Sequence, residues 1–211
     1  MDWKRLSIIL ALTTGCELLD DAGGDAGAGG TGETGGTPAE GAGGSTPAQN
    51  PLTADEIAAF VQAHNDARSG SLSPAPEPPL LPVTWDPTLA EVAFAYASRC
   101  EGADKVLIDH NPQSTDDYRA RGGMDYVGEN IWATSGDAYS AAEVVGAWMS
   151  EAPDFDYANN TSSGVTGHYT QVVWRGTERI GCAWVQCPEF QFPGVVLCNY
   201  APGGNDGSRP Y

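Results

Sequence analysis

Apolar residues recur at helical spacing in three stretches of the chain. In the first, Ile57, Phe60, Val61 and His64 follow one another at the interval of a single buried helix face. Thr53-Ala54-Asp55-Glu56 just before them reads as a capping box, in which Thr and Glu satisfy the first free amides reciprocally. In the second, Asp86-Pro87 supplies a cap and a proline at the first helical position, and Leu89, Val92, Ala93, Tyr96 and Cys100 then share a face. The third opens at Ser140-x-x-Glu143 and places Val144, Trp148 and Glu151 on one stripe before Pro153 stops it. That last stripe carries a carboxylate on the side expected to be buried.

Further along the chain the pattern changes. His168 to Trp174, Arg179 to Val185 and Val195 to Tyr200 are rich in Val, Trp and Tyr and predict strands, with breaks at Gly176-Thr177 and Phe192-Pro193-Gly194. Within the first of these, a strand would turn His168 and Thr170 to one side and Tyr169 and Gln171 to the other. Gly128 to Trp132 predicts one more strand in the middle of the chain. Helices first and antiparallel strands afterwards point to an α+β layered domain.

The N-terminal 50 residues follow neither period. Lys4 and Arg5 precede the apolar run Leu6–Leu12, which at seven residues is far short of the roughly 20 needed to span a bilayer but suits a cleaved export signal over residues 1–15. Thr13-Thr14-Gly15-Cys16 resembles a bacterial lipoprotein cleavage box, in which Cys16 would be acylated; the alternative is an ordinary secretory signal that leaves Cys16 free. Residues 20–50 hold 11 of the 27 Gly and five acids, with no Lys, Arg or aromatic residue. Such a composition buries too little apolar surface to offset its ordering entropy, so residues 16–50 read as a flexible leash and residues 51–211 as the domain.

Charge and cysteines narrow the function classes. Across 211 residues the chain carries 28 acids against 10 bases, a formal charge of −18, and residues 51–211 alone hold 21 acids against 8 bases. Nucleic acid is thereby an unsuitable partner, since phosphate affinity rests on Lys and Arg, and an anionic membrane would be approached only through the lipid anchor. Setting Cys16 aside leaves Cys100, Cys182, Cys187 and Cys198, which in an oxidising compartment read as two disulfides with three connectivities open. A zinc ribbon is the competing reading, but the Cys182-x4-Cys187 spacing does not match a knuckle.

Four motifs in this order carry a resemblance to a known family. Gly167-His168-Tyr169-Thr170-Gln171-Val172-Val173-Trp174 and Val196-Leu197-Cys198-Asn199-Tyr200-Ala201-Pro202-Gly203-Gly204-Asn205 are similar to the two long signatures of the CAP superfamily. That superfamily unites cysteine-rich secretory proteins, insect venom antigen 5 and plant pathogenesis-related 1 proteins. His64-Asn65-Asp66-Ala67-Arg68 and Gly128-Glu129-Asn130-Ile131 resemble its two shorter motifs. The resemblance implies an α-β-α sandwich with a central three- or four-stranded antiparallel sheet between helical layers. It also implies the pairing Cys100–Cys187 and Cys182–Cys198.

The family's open cleft holds two His and two Glu. By motif these fall on Glu129, Glu151 and His168, with His110, ten residues after Cys100, as the second imidazole; the chain has a long insertion between His110 and Glu129. Two imidazoles and two carboxylates suit Zn2+ or another divalent cation, with His110 and His168 as metal ligands and Glu129 and Glu151 beside them. A polar network in which carboxylates only orient the rings is the bland alternative. His64, on an apolar stripe, reads as a core histidine, and Arg68 as a brace for a carboxylate or carbonyl. The functional expectation is therefore an exported, monomeric, non-enzymatic surface module that needs no cofactor, committing no residue to catalysis and binding a lipid, glycan or protein ligand through the cleft. The alternatives are a metal-assisted, peptidase-like hydrolase using the same four residues and a purely structural surface adhesin.

Overall fold

The computed structural model describes residues 50–211. Its elements run α1 (Ala54–Ser69), β1 (Thr84–Trp85), α2 (Pro87–Ala97), α3 (Ser114–Ala120), β2 (Gly128–Thr134), α4 (Ala141–Met149), β3 (Phe155–Asp156), β4 (Thr161–Ser162), α5 (Gly167–Val172), β5 (Arg179–Gln186) and β6 (Gly194–Ala201). The predicted caps are in place. Thr53 accepts from the Glu56 amide while Glu56 reaches back to the Thr53 amide, Asp86 accepts from the amides of Thr88 and Leu89, and Ser140 accepts from that of Glu143. Each satisfies amide donors that a helix start would otherwise leave free.

The main sheet has the order β1-β5-β6-β2. β5, β6 and β2 are antiparallel, with Cys182 opposite Cys198 and Glu129 opposite Asn199. The expected antiparallel sheet needs one correction: two-residue β1 joins β5 in parallel, Thr84 opposite Arg179, so the sheet is mixed. On one side, α1, α4 and α5 pack a core that includes Phe60, Val144, Trp148, Val172, Ile180, Val196 and Tyr200. On the other, Ala93 and Tyr96 of α2 meet Ile131, Ala183, Val185 and Leu197. This is a sandwich of helical layers about a sheet, and alternation along the strands feeds both cores. Residues 194–201 are buried throughout, so β6 is apolar on both faces apart from Asn199 and shows no in–out pattern.

Three local readings also change. His168 to Trp174 is no strand: it forms α5 and the turn after it. Every residue from His168 to Val172 is buried, and a segment covered on all sides carries no period by which helix and strand could be told apart. Its Val, Tyr and Thr content then misleads, because β-propensity measures fit to a packed surface as much as backbone preference. Cys100 does not lie on the inward stripe of α2, which ends at Ala97; it sits beyond the helix with a left-handed φ of 51°. Likewise α4 stops at Met149, and Glu151 opens a short 3-10 turn over Ala152–Asp154, although it is buried as its stripe position suggested.

Disulfides join Cys100 to Cys187 and Cys182 to Cys198. The first bridges a sequence separation of 87 residues and pins the turn after α2 to the end of β5. The second links directly opposed residues of β5 and β6 in the core. Constraining the unfolded chain in this way stabilises a domain by about 2–4 kcal/mol per bridge.

Candidate functional site

The four residues expected to line a cleft are arranged as two His–Glu pairs. His168 occupies the first turn of α5, and its ring Nδ1 lies 2.7 Å from Glu151 Oε1. The other carboxylate oxygen, Oε2, accepts from the backbone amides of His168 at 3.0 Å and Tyr169 at 3.1 Å. One carboxylate therefore caps α5 and orients the imidazole at its start. Glu151 is only 6% exposed, so a negative charge is held in the interior by three donors. The His168 ring also lies nearly parallel to the indole of Trp148, 6.3 Å between centroids at 12°.

His110 sits in the loop before α3, and Glu129 is the second residue of β2. Glu129 Oε1 lies 2.7 Å from His110 Nδ1 and accepts from the Asn111 amide at 3.0 Å. Here the environments of the partners differ: the Glu129 side chain is 7% exposed and the His110 ring 53%. Burial disfavours the charged form of His110, but the hydrogen bond and charge of Glu129, aided by Asp109, outweigh it and raise the imidazole above its ordinary value. Glu129 Oε2 is buried without a hydrogen-bond partner among the described residues.

In both pairs the carboxylate engages Nδ1, and neither Nε2 makes a hydrogen bond among the described residues. An imidazole held this way presents Nε2 as its free lone pair, the arrangement in which carboxylates tune histidine ligands from behind. The pairs are distinct. Asn130 of β2 lies toward His168, so alternation turns Glu129 to the opposite side of the strand, beside His110. Among the described residues no three His, Cys, Asp or Glu side chains gather closely enough to hold a metal ion between them. Two imidazoles could share a divalent cation only with water or ligand atoms completing its shell, the carboxylates standing behind the rings.

The other two singled-out residues are structural. His64 is 1% exposed; its Nδ1 lies 2.7 Å from Phe60 O and its Nε2 2.9 Å from the Tyr200 hydroxyl. Burial, reinforced by Arg68, pushes its imidazole down to about 4 against the pull of the Phe60 carbonyl, so it is neutral at physiological pH. Among the described residues Arg68 meets carbonyls and no carboxylate: its guanidinium donates to Leu81, Val172, Trp174 and Thr177. Two of these belong to the end of α5 and the turn beyond it, so Arg68 fastens the C-terminal side of the helix whose N-terminal side Glu151 holds.

Sequence reasoning missed Asn130, Trp148 as the surface for His168, and Asn205. Asn205 Nδ2 donates to Gly167 O, and its Oδ1 accepts from the Thr170 hydroxyl. The signal for Asn130 was present: an amide side chain directly before the apolar run Ile131-Trp132-Ala133 of a strand needs a specific partner.

The family model described as "Cysteine-rich secretory protein family" (CAP) matches residues 61–200. Pathogenesis-related protein 1A of Nicotiana tabacum is 39% identical over 155 residues, which are 72% of this chain and 79% of that protein. Glioma pathogenesis-related protein 1 of Mus musculus is 37% identical over 157 residues, 74% of this chain but 56% of the relative. The chain thus spans little more than half the length of that mammalian relative. Among solved structures, venom allergen-like protein 4 of Schistosoma mansoni is similar with a TM-score of 0.54 and 25% identity, over 76% of this chain and 95% of that one.

Proposed function

The chain belongs to the cysteine-rich secretory protein (CAP) family, whose members are typically secreted, and on that premise we propose that it is an exported binding module whose His110 and His168 hold a divalent cation or a polar group of a ligand. The observation that carries this reading is the shared polarity of the two pairs. Each ring has its Nδ1 occupied by a carboxylate and its Nε2 free. Zn2+ suits such donors, because neutral imidazole is a good ligand and the carboxylates behind the rings fix their tautomer. A bound cation would supply a fixed positive charge on a strongly acidic domain, and so a point of attraction for an anionic group of a lipid, glycan or protein. Neither imidazole shares a hydrogen bond with a Ser, Thr or Cys side chain among the described residues, which favours binding over nucleophilic hydrolysis.

Titration calorimetry with ZnCl2 on the wild type, His110→Ala and His168→Ala tests this. The reading expects saturable binding that each substitution weakens at least about tenfold, the scale on which even outer partners of a metal site act. Binding unchanged by both substitutions would remove these residues from the site. Cleavage of a peptide or ester that His168→Ala abolishes would replace the module with an enzyme. Attachment to a membrane is proposed to occur through acylated Cys16, which lies outside the described residues; a palmitate label retained by Cys16→Ser would contradict it.

A further inference from the structure

Glu129 and Asn130 are consecutive residues of β2, and each is tied to a different imidazole-bearing segment. Glu129 Oε1 takes the His110 ring nitrogen and the Asn111 amide, while Asn130 Nδ2 donates to the backbone carbonyl of His168 at 3.1 Å. The loop carrying one imidazole and the helix carrying the other are therefore referred to a single strand through two adjacent side chains. Asn130 is 1% exposed, so water does not compete for its amide.

The orientation of that amide is itself determined. Phe60 O can only accept, so the proton of His64 resides on Nδ1, and His64 Nε2 must accept from the Tyr200 hydroxyl. The Tyr200 oxygen is then free to accept from Asn130 Nδ2, at 3.2 Å. Asn130 directs its amide hydrogens to Tyr200 and His168, and rotating the amide would set its oxygen against the His168 carbonyl. Donation diverges from Asn130: one branch passes through the Tyr200 hydroxyl and His64 to the Phe60 carbonyl in α1, and the other ends on the His168 carbonyl in the first turn of α5.

We propose that Asn130 is the positioning residue that sets the separation of the His110 and His168 rings, with Tyr200 and His64 fixing Asn130 in turn. The inference rests on the reading that both imidazoles serve one site. Asn130 touches no ligand; it acts through the His168 backbone. A side chain that merely filled the core would affect stability alone, whereas a strut between the pairs affects the site at unchanged fold.

The test uses the full chain labelled with 15N and the variant Asn130→Ala, read by ZnCl2 calorimetry and by the imidazole nitrogen resonances, which are few because the chain has three His. The expected result is affinity for Zn2+ lowered about tenfold or more, with the His168 ring signals displaced and those of His110 unmoved. Wild-type affinity, or lowered affinity with unmoved His168 signals, overturns the proposal. If the wild type binds no Zn2+, the cation reading fails by itself, and the positioning role is then judged on the His168 signals alone: displacement supports it and constancy refutes it. Should Asn130→Ala not fold, Tyr200→Phe, which frees Asn130 from its anchor but keeps its bond to His168, is judged by the same two readouts.

Discussion

Replacing His64 with glutamine isolates a pH dependence that burial builds into this fold. In the native protein the imidazole is held neutral down to about 4, with burial as the main cause. In the unfolded chain it titrates at its ordinary value near 6.5. Between those values the unfolded state binds a proton that the folded state refuses, so stability contributed by neutral His64 is complete above about pH 6.5 and is lost as pH falls toward 4. A difference of some 2.5 units at 1.36 kcal/mol each amounts to about 3 kcal/mol in all, of which about 2 kcal/mol disappears between pH 7 and pH 5. Urea denaturation of the wild type and His64→Gln across that interval measures it. Few carboxylates titrate there, and the opposite contribution of His110 is common to both proteins and cancels. The wild type should lose about 2 kcal/mol more than the variant on going from pH 7 to pH 5. Parallel profiles would refute the reasoning and show that His64 is charged or solvated in the native state.

Other substitutions probe the pairs and their supports. Glu151→Gln puts an amide donor among three donors in a buried position and should cost about 3 kcal/mol in urea denaturation, the upper end of the scale for hydrogen bonds to a charged group; a loss below about 1 kcal/mol would mean that the carboxylate is not the cap of α5. His110 has a raised imidazole, so its contribution is present below the unfolded value and lost as pH rises through the folded one. His110→Gln should therefore destabilise more near pH 6 than near pH 8, and an equal cost at both would contradict the His110–Glu129 bond. Arg68→Met strands four carbonyls at once and should cost at least about 3 kcal/mol, given about 1–3 kcal/mol for each unsatisfied buried group. Arg68→Lys should fail to restore it, because an ammonium cannot reproduce the guanidinium fork.

How much of this was legible in the chain depended on how local the governing physics is. The caps at Thr53, Asp86 and Ser140 act within four residues of themselves, and each lies where its pattern placed it. The helix at His168 was hidden because its residues are covered on all sides, erasing the period that distinguishes helix from strand. Parallel β1 was equally unreadable: two residues, Thr84 and Trp85, carry no pattern, and their pairing with Arg179 and Ile180 is settled by distant chain. Among the expected site residues, Glu129, Glu151 and His168 were suggested by motif, but their partition into two pairs was not. That partition follows from β2 turning Glu129 and Asn130 to opposite sides, and from Glu151 being drawn to the amides of α5. Asn130 and Tyr200 escaped notice for a similar reason. Their roles exist only across a sequence distance of 70 residues, bridged by the β2–β6 register.

His110 and His168 are proposed to present their Nε2 atoms to one occupant while His64 serves the core. Following the three imidazoles by nitrogen NMR as ZnCl2 is added tests it most directly. The prediction is that the His110 and His168 Nε2 signals move together and reach their end point at one equivalent, with His64 unmoved. Movement of only one of the two, or of neither, would contradict a shared site.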